Sequence, residues 1–228
     1  MILAALRSAA LAQTLVPTIG QRLAGTREDA QRFDTAVTPP DYAFAIWGPI
    51  FAACLADAWW PGQAATPERG GTGWPLAGAY ALNTAWSVAT QTDNWQATPV
   101  LLPAAAGLAG LAYRRVQDVP AATGTRTATA AGLLLGWTAL ASAINVAGVA
   151  KASPAVATAG AAGVAAAVCA TIARSRRGHL ALGAATTWGL ATNALDAARP
   201  PLVRLATGTA AAAVLTTTAL RERVRRRR

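Results

Sequence analysis

The chain has 228 residues, 54% of them hydrophobic and 13% charged, with a formal net charge of +10. That is too apolar, and too poor in surface charge, for an ordinary water-soluble domain. The positive charge does not point to nucleic acid, because the arginines sit in short clusters between apolar segments and in a terminal run from Arg221 to Arg228. This is the charge pattern of a polytopic membrane protein.

Eight apolar segments follow in order, at about 2–20, 42–60, 74–91, 98–113, 127–150, 153–173, 179–196 and 201–220. Each approaches the ~20 residues that cross a ~30 Å hydrocarbon core. The first, interrupted by Arg7, reads as a retained helix rather than a signal peptide, since it lacks an early positive charge and a clean cleavage site. Arg204 enters the last segment near its start, where it can snorkel to the interface. With both termini cytoplasmic, the cytoplasmic loops collect Arg69, Arg114, Arg115, Arg126, Arg174, Arg176, Arg177 and the arginine tail. The opposite loops pair Arg22, Arg27 and Arg32 with Glu28, Asp29 and Asp34, and otherwise carry Lys151 and Asp196 with Arg199. Positive charge therefore sorts to one side, which predicts an all-α integral protein of the cytoplasmic (plasma) membrane.

Neither chemistry nor redox is signalled elsewhere. Cys54 and Cys169 are lone thiols in apolar segments, and His179 is the single histidine. No metal site and no catalytic residue is expected, and the run Gly70 to Gly73 lacks the Lys-Ser/Thr of a phosphate loop, so it reads as linker. Gly132 and Gly136 form a GxxxG, explained by tight internal packing or, as the sharper alternative, by a homodimer seam.

The densest pattern begins at Thr38. A double proline, Pro39-Pro40, cannot continue a helix, and a helix follows whose first turns carry Tyr42, Phe44, Trp47 and Phe51. Aromatics at a membrane helix entrance make an interfacial belt or a pocket wall, and residue types alone favour the belt. Further on, Asn83 and Trp86 share a face at a spacing of three, and Trp137, Ala141 and Asn145 recur at a spacing of four. Polar groups at membrane depth are costly; by spacing alone Asn83 and Asn145 are best read as hydrogen-bonding neighbouring helices. Asp57, beside Trp59 and Trp60, reads as an interface-exposed carboxylate, and Leu111-Ala-Tyr113-Arg-Arg115 as an interfacial tyrosine with snorkelling arginines rather than a sterol motif. Trp188 and Asn193 read as packing and anchoring residues.

Three stretches together carry a resemblance. Pro39-Pro40-x-Tyr42-x-Phe44-x-x-Trp47-Gly48-x-x-Phe51 resembles the PPxWxFGxxWxxLY signature of the TspO/MBR family, the tryptophan-rich sensory proteins. Leu82-Asn83-x-x-Trp86-Ser87 is similar to its LNxxWS, and Trp137-x-x-x-Ala141-x-x-x-Asn145 to its WxxxAxxLN. The likeness covers about residues 1–150. Tyr42 stands where the family has tryptophan, and the final tyrosine of the signature is absent.

The resemblance implies a five-helix membrane domain at 1–150, additional transmembrane helices at 151–220 and a basic cytoplasmic tail at 221–228. It implies a pocket between helices two, three and five, lined by Tyr42, Phe44, Trp47, Phe51, Asn83, Trp86, Trp137, Ala141 and Asn145, with the Gln21–Thr38 loop as a lid. The implied ligands are planar and hydrophobic, of the porphyrin or haem kind, with sterols a further class; no cofactor is required. The implied role is that of a non-enzymatic sensor or binding protein, with a homodimer and the lipid bilayer as partners and no nucleic acid. A transporter of tetrapyrroles or small amphipathic solutes is the alternative. A porphyrin-degrading enzyme acting in light through Trp137 is the third reading.

Overall fold

The computed structural model describes residues 1–24, 33–59 and 67–227, with the backbone alone for 20–24 and 67–70. Residues 25–32 of the expected lid, with Arg27, Glu28, Asp29 and Arg32, and also Trp60 lie outside the described residues, as do the side chains of Arg22 and Arg69. Among the described residues eight α-helices follow one another: α1 (Ile2–Ala24), α2 (Trp47–Trp59), α3 (Pro67–Gln91), α4 (Thr98–Arg115), α5 (Ala121–Val149), α6 (Pro154–Arg174), α7 (His179–Leu195) and α8 (Pro201–Arg226). Among the described residues there is no strand.

The eight expected segments all become helices. Among the described residues, however, five spans are long and apolar enough to cross a membrane: Ile2–Ile19, Asp41–Trp59, Ala121–Val149, Pro154–Arg174 and Pro201–Arg226. α3 opens on the polar run Pro67–Gly73, so the glycines expected as linker are helical, and α7 has 17 residues. The second segment also departs from expectation. Asp41–Ile46 winds as a 3-10 helix and the α-helix begins at Trp47, with 13 residues. The tighter winding gains length: ~12 Å from six residues at ~2 Å each, plus ~20 Å from α2, matches a ~30 Å core.

Local chemistry explains how so much threonine is held in a membrane. Thr138, Thr207 and Thr218 each donate to the carbonyl four residues earlier, at 2.7, 2.8 and 2.7 Å, so their hydroxyls are satisfied within their own helices. Starts are set by proline and serine: Pro154 and Pro201 open α6 and α8, and Ser153 caps α6 by accepting from Val156 N.

Packing arranges the helices as two rings that share one member. The first closes in the order α1, α2, α5, α4, α3; the second runs α5, α7, α8, α6 and back to α5. Small residues make the shared seam. A Cβ on Gly136 would stand 2.6 Å from Leu182 O, and one on Gly132 2.8 Å from Gly178 O. The GxxxG is therefore spent between α5 and α7, inside the chain, and is not a homodimer seam.

Contacts between chain turns define two ends. Arg7 Nε donates to Ala58 O, Arg115 Nη1 to Gly71 O and Arg221 Nε to Ser175 O, which puts both termini at one end, here the basic end. The segment 33–46, the turn at Trp95 and the end of α7 gather at the other, the loop end.

Candidate functional site

The aromatic signature condenses at the loop end. Trp47 and Phe51, one turn apart on α2, stack with ring centroids 5.2 Å apart. Trp137 of α5 meets Trp47 edge-to-face at 6.2 Å and Phe44 at 5.6 Å. Such geometries add ~0.5–1.5 kcal/mol per pair beyond burial. Trp137 is 2% exposed and Phe44 39%, so Phe44 covers the indole from outside. Behind Trp137 lies Gly189, where a Cβ would come 3.2 Å from the indole and 2.6 Å from Leu140 Cδ2, so α7 packs closely on both side chains there.

Tyr42 does not join this quartet. The 3-10 winding before Trp47 turns it outward, 56% exposed, and it meets Trp188 edge-on at 6.5 Å. Asn83 and Trp86 lie on α3, which packs on α1 and α4, and among the described residues no ring contact joins Trp86 to the quartet. Ala141 and Asn145 follow Trp137 along α5, both half-buried.

Three of these residues nevertheless share an unusual property. Asn83 Oδ1, Trp86 Nε1 and Asn145 Oδ1 are buried, and none has a hydrogen-bond partner among the described residues. The reading in which the two asparagines bond neighbouring helices through these oxygens therefore does not hold. Each such group costs ~1–3 kcal/mol if left unmet. α3 and α5 are separated in the ring by α4, so the asparagines do not serve one another.

Deeper in the first ring, Asp57 is fully buried and accepts from Thr127 Oγ1 at 2.7 Å. The expected interface-exposed carboxylate is thus interior; its place on the face of α2 turned to α5 outweighs its nearness to the helix end. Cys54, one turn earlier on α2, is also fully buried. Tyr113 is likewise not an interfacial anchor. It is 2% exposed, and its hydroxyl lies 2.9 Å from both Ser175 Oγ and Arg177 O, closing α4 onto the α6–α7 turn.

The two residues read as packing and anchoring, Trp188 and Asn193, lie on α7. Trp188 Nε1 donates to Ala43 O at 2.7 Å, and Asn193 Nδ2 to Val37 O at 2.9 Å. The two accepting residues bracket the double proline. The double proline marks a segment short of backbone donors, but nothing in the sequence says which distant side chains meet its carbonyls.

A family model described as TSPO-like protein matches residues 1–220. The likeness thus runs past residue 150, through the helices of the second ring. No curated protein and no solved structure matches the chain.

Proposed function

The chain belongs to the TSPO-like family, and we propose that this multi-pass membrane protein binds flat hydrophobic ligands of the porphyrin or haem kind, as a sensor or binding protein. The observation that carries this reading is the set of unmet polar atoms on Asn83, Trp86 and Asn145, in the same five-helix ring as the quartet Phe44, Trp47, Phe51 and Trp137. A ring system with a few polar edges answers both: its faces stack on indoles, and its polar atoms meet the amides and the indole N–H. Phe44, half over Trp137, is the ring such a ligand displaces first. The arginines gathered at the end that holds both termini support an orientation with those termini in the cytoplasm.

The test is titration of the detergent-purified protein with protoporphyrin, followed by tryptophan fluorescence, with Trp137→Ala and Asn83→Ala alongside. Saturable quenching in the micromolar range, weakened at least tenfold in both variants while helicity is retained, is the expected result. Linear quenching that the substitutions leave unchanged means partition into micelles, and the reading falls.

A second reading, a transporter of such ligands or of small amphipathic solutes, is favoured by Asp57. A fully buried carboxylate in a membrane helix is costly and marks a pathway more often than a surface residue does. Proton-driven flux into liposomes that Asp57→Asn abolishes, without loss of protoporphyrin binding, selects it.

A further inference from the structure

We infer that α7 is a clamp on the entrance of the site, with Trp188 and Asn193 as positioning residues that set where Phe44 stands over Trp137. This rests on the ligand-binding reading above and adds its regulation: access is controlled by the second ring.

The argument begins with the double proline. Neither Pro39 nor Pro40 has a backbone N–H, so the segment around them is held from outside chiefly through its carbonyls. The partners must then be donors, and α7 with its following turn supplies three. Arg199 Nη1 reaches Thr35 O at 3.2 Å, Asn193 Nδ2 reaches Val37 O at 2.9 Å, and Trp188 Nε1 reaches Ala43 O at 2.7 Å. Each donor is itself fixed. Arg199 is held by Asp196 at 2.9 Å, Asn193 is buried and also donates to Gly189 O at 3.1 Å, and Trp188 has Tyr42 against its edge.

The accepting residues are as fixed as the donors, for Val37 and Ala43 are fully buried. Ala43 immediately precedes Phe44, and Gly189, the residue after Trp188, backs Trp137. One turn of α7 therefore touches the lid and the floor of the aromatic site together. A displacement of α7 moves Phe44 relative to Trp137, whereas among the described residues no side chain of α3 or α4 donates to the segment's carbonyls.

Trp188→Phe removes the donor and keeps the ring against Tyr42. Asn193→Ala removes the second donor, and Arg199→Gln, at a half-buried side chain in the turn after α7, withdraws the charged third. Hydrogen exchange by mass spectrometry reads the segment, and stopped-flow mixing with protoporphyrin reads access. Losing one such bond is worth roughly three- to tenfold in local opening. We expect exchange at residues 41–47 to rise by that factor, exchange in α4 and α8 to stay unchanged, and the association rate to rise more than the affinity changes. Unchanged exchange in all three variants overturns the clamp, as does a rise spread over every helix. A confined rise with unaltered association overturns its role in access. A confined rise when neither wild type nor variant binds protoporphyrin saturably leaves the clamp standing and sinks the ligand instead.

Discussion

The two ends of the bundle are fastened by opposite chemistry. At the basic end the turn between α6 and α7 is gripped by one side chain: Gln117 Oε1 accepts from Arg176 N and Arg177 N at 2.8 and 3.0 Å, and its Nε2 donates to Tyr113 O at 2.8 Å. Arg177 Nη1 returns to Gln117 O at 2.9 Å, and Glu222 is held by Arg225 and Arg226 at 2.7 and 2.8 Å, with His179 3.1 Å away. The bonds are many, and several are charge-assisted. At the loop end α7 and its following turn reach the segment by one bond to each of three carbonyls, and the segment's other hydrogen bonds are local turns, such as Thr38 N to Thr35 O and Ala43 N to Pro40 O. A redundant, ionic end resists opening, while an end held at a few points opens locally at lower free energy. The site lies at the second kind.

The largest test of this contrast removes what joins the ends. Gly136→Leu forces α5 from α7, since even a Cβ meets Leu182 O at 2.6 Å. It should cost about 3 kcal/mol, lower thermal stability in detergent and raise exchange at both ends. If only one end loosens, the ends are independent and α7 is not their common support.

Gln117→Ala is the next in size. Losing its bonds to the α6–α7 turn should cost about 2 kcal/mol and raise exchange at 175–178 while 41–47 is unaffected. A rise at 41–47 as well would erase the distinction between the ends.

The smallest effect is one of pH. At the loop end burial pushes the Asp34 carboxyl above its usual range, and Asp41 adds to this, against the pull of Arg199. An acid whose folded pKa is raised favours the folded form while protonated, and that contribution is lost as pH rises through the folded value. Protection of residues 33–38, corrected for intrinsic exchange, should therefore increase on acidification through the carboxylate range. Asp34→Asn should flatten the dependence without altering 175–178. An unchanged dependence in the variant assigns the effect elsewhere.

Much of the molecule was legible in its sequence. Apolar runs marked all eight helices to within a few residues for most boundaries, because twenty apolar residues in lipid have few alternatives to a helix. The spacing of Trp47 and Phe51 marked their stack. What failed was direction. Tyr42 turned away because Asp41–Ile46, six residues, wound as a 3-10 helix, a choice no apolar pattern records. Asp57 and Tyr113 were placed at the interface because they stand near helix ends, whereas their burial depends on which helix packs opposite. Trp188 and Asn193 were read only as packing and anchoring because their partners are backbone carbonyls 145 and 156 residues away, and carbonyls leave no mark in a sequence.

Those separations also set a timetable. A ribosome adding ~5–20 residues per second completes Trp188 roughly 7–29 s after Ala43. During that interval α2 to α6 are all made, and Thr127, 70 residues beyond its partner Asp57, is made with them. All five helices of the first ring are thus synthesised before the α7 donors that fasten its entrance.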